Sequence, residues 1–294
     1  MKLLGTADAG GKINLRLKVT ARRPDGYHEL DTIFYPLKHP ADKIALYEND
    51  RIGISFECAM FSDVPAEKNL AVRAARSYAE RAGITPAWHI TLEKNLPVAA
   101  GVGGGSSDAA AVLQLLNDHF GKLSGTDLAD IAVKLGADVP FFLKRRPMRA
   151  TGIGENLTDF ELPETMPEIL LVNPGFPVSA KWAYQHLDLK HIGCDAGVTA
   201  GDYKEAFANP GSADWEYLLR NDLAFALWKK FPLCRVLKKF MLEQKAWAVQ
   251  ISGSGSSLYA LFPNADSAKK CAVELRKSDF GNPYTRIFTG GKEW

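Results

Sequence analysis

The chain has 294 residues, of which 46% are hydrophobic and 24% charged, and its net charge is +2. That length predicts two domains sharing an interface, and the composition is that of an ordinary folded globular protein and excludes a disordered one. So small a net charge, with no lysine- or arginine-rich stripe, excludes a dedicated nucleic-acid binder, and no run of about eighteen apolar residues is present to cross a membrane.

In chain order, residues 12 to 20 (KINLRLKVT) alternate strictly. Ile13, Leu15, Leu17 and Val19 point one way and Lys12, Asn14, Arg16 and Lys18 the other, which predicts a half-buried strand. Arg23-Pro24-Asp25-Gly26 reads as a turn into a second extended stretch near Thr32-Ile33-Phe34, so the pair forms a hairpin. Further strands are predicted over 43–47 and 51–57, and a helix over 67–82 ends at Gly83. Residues 88–97 alternate Trp88, Ile90 and Leu92 against His89, Thr91 and Glu93, giving a strand that feeds directly into a glycine-rich turn. A helix then runs to Gly121, capped at its start by Ser106 and Ser107. Thr126 is the expected cap of the next helix, which closes at Gly136. Beyond residue 150 the pattern changes to a strand at 168–174, several helices between 179 and 243, and strand, tight turn and strand over 248–262. A helix at 265–277 and a last strand at 284–289 complete an α+β arrangement, with residues 190–213 as an excursion containing loops.

Cys58, Cys194, Cys234 and Cys271 form neither a CxxC pair nor a disulfide framework, which fits a reducing compartment. With no signal-peptide pattern at the N-terminus, a cytoplasmic location is expected. His186 and His191, with Asp188 between them, do not share a helix face, so no structural metal is expected. Lys144, Arg145, Arg146 and Arg149 make the densest basic run, read as a solvated loop or as a route for an anionic substrate.

Residues 97 to 107 carry the strongest chemical signal. Gly101, Gly103, Gly104 and Gly105 allow positive φ and close approach of backbone N–H groups, and the helix that follows adds unsatisfied N–H groups and the positive end of its dipole. This is a cradle for phosphate. It matches neither GxxxxGK[ST] nor GxGxxG, and it has no lysine of its own, so a cation must come from elsewhere. Lys12 is the candidate, two residues from Asn14 on one face of its strand, although an exposed strand lysine would give the same pattern. Asp138, between Gly136 and Pro140, reads either as a helix cap or as a carboxylate that accepts a hydroxyl proton during phosphoryl transfer. Tyr27 and His28, directly after the turn, are a platform for a flat ligand or a partly buried pair.

Together, Gly11-Lys12-Ile13-Asn14-Leu15, Arg22-Arg23-Pro24-Asp25-Gly26-Tyr27-His28, the 97–108 loop, Gly136-Ala137-Asp138-Val139-Pro140 and Ser252-Gly253-Ser254-Gly255 resemble the GHMP small-molecule kinases. Gly152-Ile153-Gly154-Glu155 and Asn221-Asp222-Leu223 agree. The resemblance implies a two-domain α+β fold. Residues 1–158 would form an ATP-binding domain like the second domain of ribosomal protein S5, and residues 159–294 a ferredoxin-like domain. It also implies ATP and Mg2+ as cofactors. Catalytic roles then fall to Lys12 and Asp138, and the ATP phosphates to Pro97, Val98, Ala99, Ala100, Gly101, Val102, Gly103, Gly104, Gly105, Ser106 and Ser107. The metal ligands stay unassigned beyond the Ser107 hydroxyl.

Within the family, the Pro-Asp-Gly-Tyr-His block is similar to that of the members acting on cytidyl diphosphate methylerythritol, a small-molecule substrate of non-mevalonate isoprenoid synthesis phosphorylated on its 2-hydroxyl. Tyr27, His28 and Tyr184 would hold the cytosine and Asn14 the methylerythritol side. The partners implied are small molecules, with no nucleic acid and no membrane, and the protein would be a monomer or weak homodimer. Other acceptors (homoserine, mevalonate or a sugar) and a nucleotide-binding protein without catalysis are the alternatives. The chain departs from the family pattern at Ala99 or Ala100 (glycine), Val102 (leucine), Gly10-Gly11 (Pro-Ala) and Ala180 (threonine).

Overall fold

The computed structural model describes residues 1–61, 65–188, 196–280 and 284–288; His191 and Cys194 lie outside the described residues, as do parts of the predicted 190–213 excursion and of the last predicted strand. In chain order the elements are β1 (Lys2–Arg22), β2 (His28–Glu48), β3 (Gly53–Glu57), α1 (Leu70–Ala82), β4 (Ala87–Glu93), α2 (Gly104–Phe120), α3 (Gly125–Leu135), α4 (Val139–Lys144), β5 (Met148–Gly152) and β6 (Asn156–Asp159). There follow β7 (Glu168–Asn173), α5 (Ala180–Gln185), α6 (Ala200–Ala208), α7 (Trp215–Leu218), α8 (Ala224–Lys230), α9 (Pro232–Glu243), β8 (Ala248–Ile251), β9 (Leu258–Phe262), α10 (Ala265–Lys277) and β10 (Tyr284–Phe288). The chain divides into two compact units that interleave in sequence, one of residues 1–11, 38–96 and 103–145, the other of 12–37, 97–102 and 146–294.

In the first unit the C-terminal half of β2 pairs antiparallel with β4, and β3 pairs parallel with β4. The alternation read from the sequence is realised, since Trp88, Ile90 and Leu92 are buried. α1 and α2 contribute Ala71, Val72, Ala74 and Ala75 and Ala109 to Leu113 to the same core. α1 and α2 pack against each other, and their runs of alanine allow close approach of the two helices. Gly83 and Gly121 end these helices in the left-handed conformation, at φ +66 and +60.

Two of the predicted caps differ. α3 is capped by Ser124, whose hydroxyl accepts from the Asp127 N–H while the Asp127 carboxylate accepts from the Ser124 N–H. That reciprocal box needs a three-residue spacing, which places Thr126 inside the helix. At α2 the cap position is Gly103, at φ +73, with no side-chain cap; Ser106 and Ser107 lie within the first turn instead.

In the second unit the N-terminal half of β2 pairs with β5, and β5 with β6, all antiparallel. A separate antiparallel sheet has the order β10-β7-β9-β8. Leu170, Val172, Val249, Ile251, Leu258, Ala260 and Phe262 line the face packed against α8, α9 and α10, through Leu227, Cys234, Leu237, Met241, Cys271 and Leu275. From β9, Tyr259 donates its hydroxyl to the Leu15 carbonyl at 3.1 Å.

β1 corrects the half-buried expectation: Lys12, Asn14, Arg16 and Lys18 are 4, 2, 1 and 5% exposed. The segment before α8 covers this strand. The Arg16 guanidinium lies 5.0 Å from the Tyr217 ring centroid and donates to the Tyr217 carbonyl. The Leu17 N–H donates to Arg220 and the Val19 N–H to the Asp222 carboxylate. Alternation reports which side chains share a face; it does not report what a distant segment lays over that face.

Candidate active site

Burial explains how β1 holds its polar side chains. The Lys12 ammonium donates to Asn14 Oδ1 at 2.7 Å and sits 5.1 Å from the Phe34 ring centroid. Asn14 Nδ2 donates to Thr32 Oγ1 at 2.8 Å, and the Thr32 hydroxyl donates to the Arg16 carbonyl at 2.6 Å. A buried cation with oxygen partners is fixed in place, and the amide that fixes it is itself fixed from β2.

Across this pair lies the turn between β8 and β9. Gly253 is left-handed at φ +54, and a β-carbon there would fall 3.2 Å from the Gly101 carbonyl oxygen, 3.3 Å from Asn14 Oδ1 and 3.4 Å from Lys12 Nζ, so glycine suits both the backbone conformation and the close approach. The Ser252 hydroxyl donates to the Gly101 carbonyl at 2.8 Å, and the Ser257 N–H donates to Ala100 at 3.1 Å. The Val178 N–H donates to Ala99, and the Lys12 N–H to Val102. Residues 97–102 are therefore bound by backbone contacts to β1, to the 252–257 turn and to the approach to α5. Asn221 holds the turn from behind, its amide donating to the Ile251 and Gly253 carbonyls at 2.8 and 2.9 Å.

The loop is left-handed at Ala99, Gly101 and Gly103, with φ of +50, +79 and +73. Ala99, where the family pattern has glycine at 99 or 100, thus carries a β-carbon in a conformation that L-residues adopt at a cost of about 1 kcal/mol or more. In the first unit the loop continues into α2, whose first turn has no side-chain cap, the kind of helix start at which an anion can be accepted. Lys94, the nearest lysine before the loop, is buried and bonded to the carboxylates of Asp42 and Asp108. It is committed to those partners.

Asp138 is half-buried at the start of α4, in the same unit as α2, and α4 packs against α2. It occupies the cap position, but its own backbone is helical and its side chain makes no cap hydrogen bond, so the cap reading does not account for the carboxylate. Lys12, Asn14 and residues 97–102 come together in the second unit; Asp138 and residues 103–107 belong to the first.

The aromatic candidates also lie in the second unit. His28 stacks on Tyr184, with ring centroids 5.2 Å apart and planes 18° from parallel, while Tyr27 is 61% exposed. α5 is seated on the hairpin by Leu17, Val19, Leu30, Ala183 and Leu223, with Tyr184 packed at the edge. Burial, and then the charge of Arg22, hold the His28 imidazole below its ordinary value, so it is neutral near pH 7. A neutral imidazole both donates and accepts a hydrogen bond.

Known proteins carry the same pattern. Residues 69–146 match the GHMP kinases N terminal domain and residues 219–280 the GHMP kinases C terminal domain. A protein of Syntrophotalea carbinolica named 4-diphosphocytidyl-2-C-methyl-D-erythritol kinase is 42% identical, covering 91% of this chain and 92% of its own. One of the same name from Nitratidesulfovibrio vulgaris is 37% identical, covering 93% and 96%. This chain belongs to the 4-diphosphocytidyl-2-C-methyl-D-erythritol kinase family. A crystal structure of 4-(cytidine 5'-diphospho)-2C-methyl-D-erythritol kinase matches with a TM-score of 0.82 at 34% identity, over 98% of this chain and 100% of that one. A homoserine kinase from Cytophaga hutchinsonii matches with a TM-score of 0.68 at 20% identity, over 96% of this chain and 94% of that one, and shares the fold alone. The chain has the two-domain GHMP kinase fold with mixed α and β content, and it is an ATP-dependent small-molecule kinase.

Magnesium, which such a kinase implies, needs only one or two protein oxygens when phosphates and waters fill its other positions. The hydroxyls of Ser106 and Ser107 in the first turn of α2, and the Asp138 carboxylate in the same unit, have that chemistry. No all-protein cage of three or more His, Cys, Asp or Glu is present among the described residues. The sequence reading gave no individual role to Thr32, Ser252, Asn221 or Lys94. Ser252-Gly253 and Asn221 were visible as motifs, whereas Thr32 and Lys94 gave no local signal.

Proposed function

We propose that this chain transfers the γ-phosphoryl group of ATP to the 2-hydroxyl of 4-diphosphocytidyl-2-C-methyl-D-erythritol, a step in the non-mevalonate route to isoprenoid precursors. The observation that carries the reading is identity of 36 to 42% over more than nine-tenths of the chain to relatives of that name. Residues 1–158 are read as the ATP-binding part and 159–294 as the C-terminal part, in a cytoplasmic protein that is a monomer or weak homodimer.

In this reading residues 97–107 hold the triphosphate, with backbone N–H groups between Val98 and Ser106 as the donors. The acceptor hydroxyl oxygen attacks the γ-phosphorus, the bond to the β-γ bridging oxygen breaks, and ADP leaves. Asp138 accepts or orients the hydroxyl proton, a role worth about 10²- to 10⁴-fold in rate, while the larger share comes from positioning and charge. Lys12, held by Asn14, neutralises charge on the phosphoryl oxygens in flight. Magnesium, when bound, supplies further neutralisation of the phosphates, and the Ser107 hydroxyl would help hold it. Tyr27, His28 and Tyr184 take the cytosine by stacking and hydrogen bonding, and Asn14 faces the methylerythritol unit.

Steady-state ADP release tests the reading. 4-Diphosphocytidyl-2-C-methyl-D-erythritol is expected to support turnover that CMP inhibits competitively against this acceptor. Turnover with homoserine, mevalonate or galactose in its place, unaffected by CMP, would overturn it.

A further inference from the structure

Both stems of the phosphate loop meet one buried ionic cluster that the proposed chemistry does not use. Asp42, on β2, and Asp108, in the second turn of α2, are almost fully buried, and so is the Lys94 side chain just after β4. Lys94 Nζ donates to Asp42 Oδ2 and, at 2.8 Å, to Asp108 Oδ2. The other oxygen of Asp42 accepts from the backbone N–H groups of Asn95 and Leu96 at 2.6 and 2.8 Å. Asn95 Nδ2 donates to the Ala41 carbonyl at 3.1 Å. A β-carbon on Gly104 would stand 3.2 Å from Lys94 Nζ and 3.3 Å from Asp42 Oδ2, so the cluster lies directly against the first residue of α2. The stem leading into the loop, 94–96, and the stem leaving it, 104–108, are thus tied to each other and to β2.

The arrangement is expensive in solvation. A lysine and two carboxyl groups are taken from water, burial pushes the Asp108 carboxyl up to about 7, and among the described residues Asp108 Oδ1 has no hydrogen-bond partner. Apolar side chains would hold the stems together without that cost, but they would not fix direction. Charge-assisted bonds to stated oxygens fix the distance between the stems and the angle at which α2 leaves the loop.

We propose that Asp42, Lys94 and Asp108 form a clasp of positioning residues that sets the spacing of the two stems, so that the N–H groups of the loop face the triphosphate. The three act through the two stems they tie together. The proposal rests on the reading of residues 97–107 as the ATP loop.

The test uses the full-length chain with Asp108→Asn, which keeps side-chain volume and removes the carboxylate from Lys94. KM for ATP is expected to rise about tenfold, short of the ~10²-fold attached to a displacement of 1 Å. KM for the acceptor should stay within twofold. Lys94→Met combined with Asp108→Asn, which also breaks the bond to Asp42 and leaves that buried carboxylate without its lysine, should raise KM for ATP further than the single change. Gly104→Ala, which favours the helix by about 1 kcal/mol yet presses on Lys94 and Asp42, should also raise KM for ATP. Hydrogen exchange in nucleotide-free protein supplies a readout independent of the ATP reading: peptides spanning 95–108 should exchange faster in Asp108→Asn, with distant peptides unchanged. Unchanged exchange in those peptides, or equal rises in KM for both substrates, would overturn the clasp. A parent enzyme that ignores ATP, with faster exchange in the variant, would overturn the ATP reading and leave the clasp standing.

Discussion

Gly101→Ala probes the loop most sharply. Its φ of +79 is left-handed, a conformation that costs an L-residue about 1–2 kcal/mol. The new β-carbon would also overlap the Ser252 carbonyl oxygen and lie 3.0 Å from the Gly255 nitrogen. Those are backbone atoms, so no rotamer change relieves the overlap. Either the 252–255 turn or the loop must shift, at roughly 1–3 kcal/mol as in other overpacked sites. The expected loss is about 2–5 kcal/mol. Gly121→Ala is the control, because Gly121 has φ +60 with nothing among the described residues within 4 Å of its would-be β-carbon and carries the backbone term alone. Urea unfolding of the two variants therefore separates clash from strain, and steady-state kinetics shows whether the shift reaches the nucleotide. Gly101→Ala should raise KM for ATP at least tenfold while Gly121→Ala leaves it within twofold. If the two variants lose the same stability and neither changes KM for ATP, the contact between loop and turn is not what positions the phosphate site.

Other outcomes follow from the same geometry. Thr32→Val removes the oxygen that accepts from Asn14 and donates to Arg16, so unfolding free energy should fall by about 1–3 kcal/mol and acceptor KM should rise; an unchanged acceptor KM counts against the Asn14 role. Asp138→Asn should lower kcat about 10²- to 10⁴-fold with both KM values near the parent's, measured by ADP release; parental kcat would remove Asp138 from the chemistry. Because the folded His28 value is depressed below 6.5, the unfolded chain protonates first on acidification. Its contribution to stability is therefore level above about pH 6.5, declines as the pH falls through that value, and levels again below the folded value. Acceptor KM should be flat between pH 7 and 8 and rise in acid, and His28→Gln should abolish that rise; an identical profile in the variant contradicts the assignment. Burial pushes the thiols of Cys234 and Cys271 up to about 12, so native protein should leave both unreacted with a disulfide reagent until it unfolds, as read by mass mapping.

Features set by short-range chemistry were legible in the sequence. The period of two at Trp88, Ile90 and Leu92 located β4, and Gly83 and Gly121 marked helix ends because few other residues adopt the left-handed C-terminal position. The glycine run into an apolar helix marked the loop proposed to hold phosphate, and the 2.7 Å bond from Lys12 to Asn14 agrees with the two sharing a strand face. What was not legible depends on partners far away in the chain. Asp222, which binds the backbone of β1, is 203 residues from Val19. Lys94 is 52 residues from Asp42, and each of the three clasp charges looks like an ordinary surface residue on its own. Ser124 outcompeted Thr126 as a cap because only its spacing to Asp127 closes the reciprocal box. Between Lys12 and Asp138 the sequence supplies no spacing at all, and the family resemblance alone pairs them.

Transfer of a labelled γ-phosphoryl group from ATP tests the central claim most directly. With 4-diphosphocytidyl-2-C-methyl-D-erythritol as acceptor, the label should appear in one product as a new phosphomonoester on the 2-oxygen, located by phosphorus-carbon coupling in NMR. Label released only as inorganic phosphate, or placed on homoserine or mevalonate and not on this acceptor, would contradict the account.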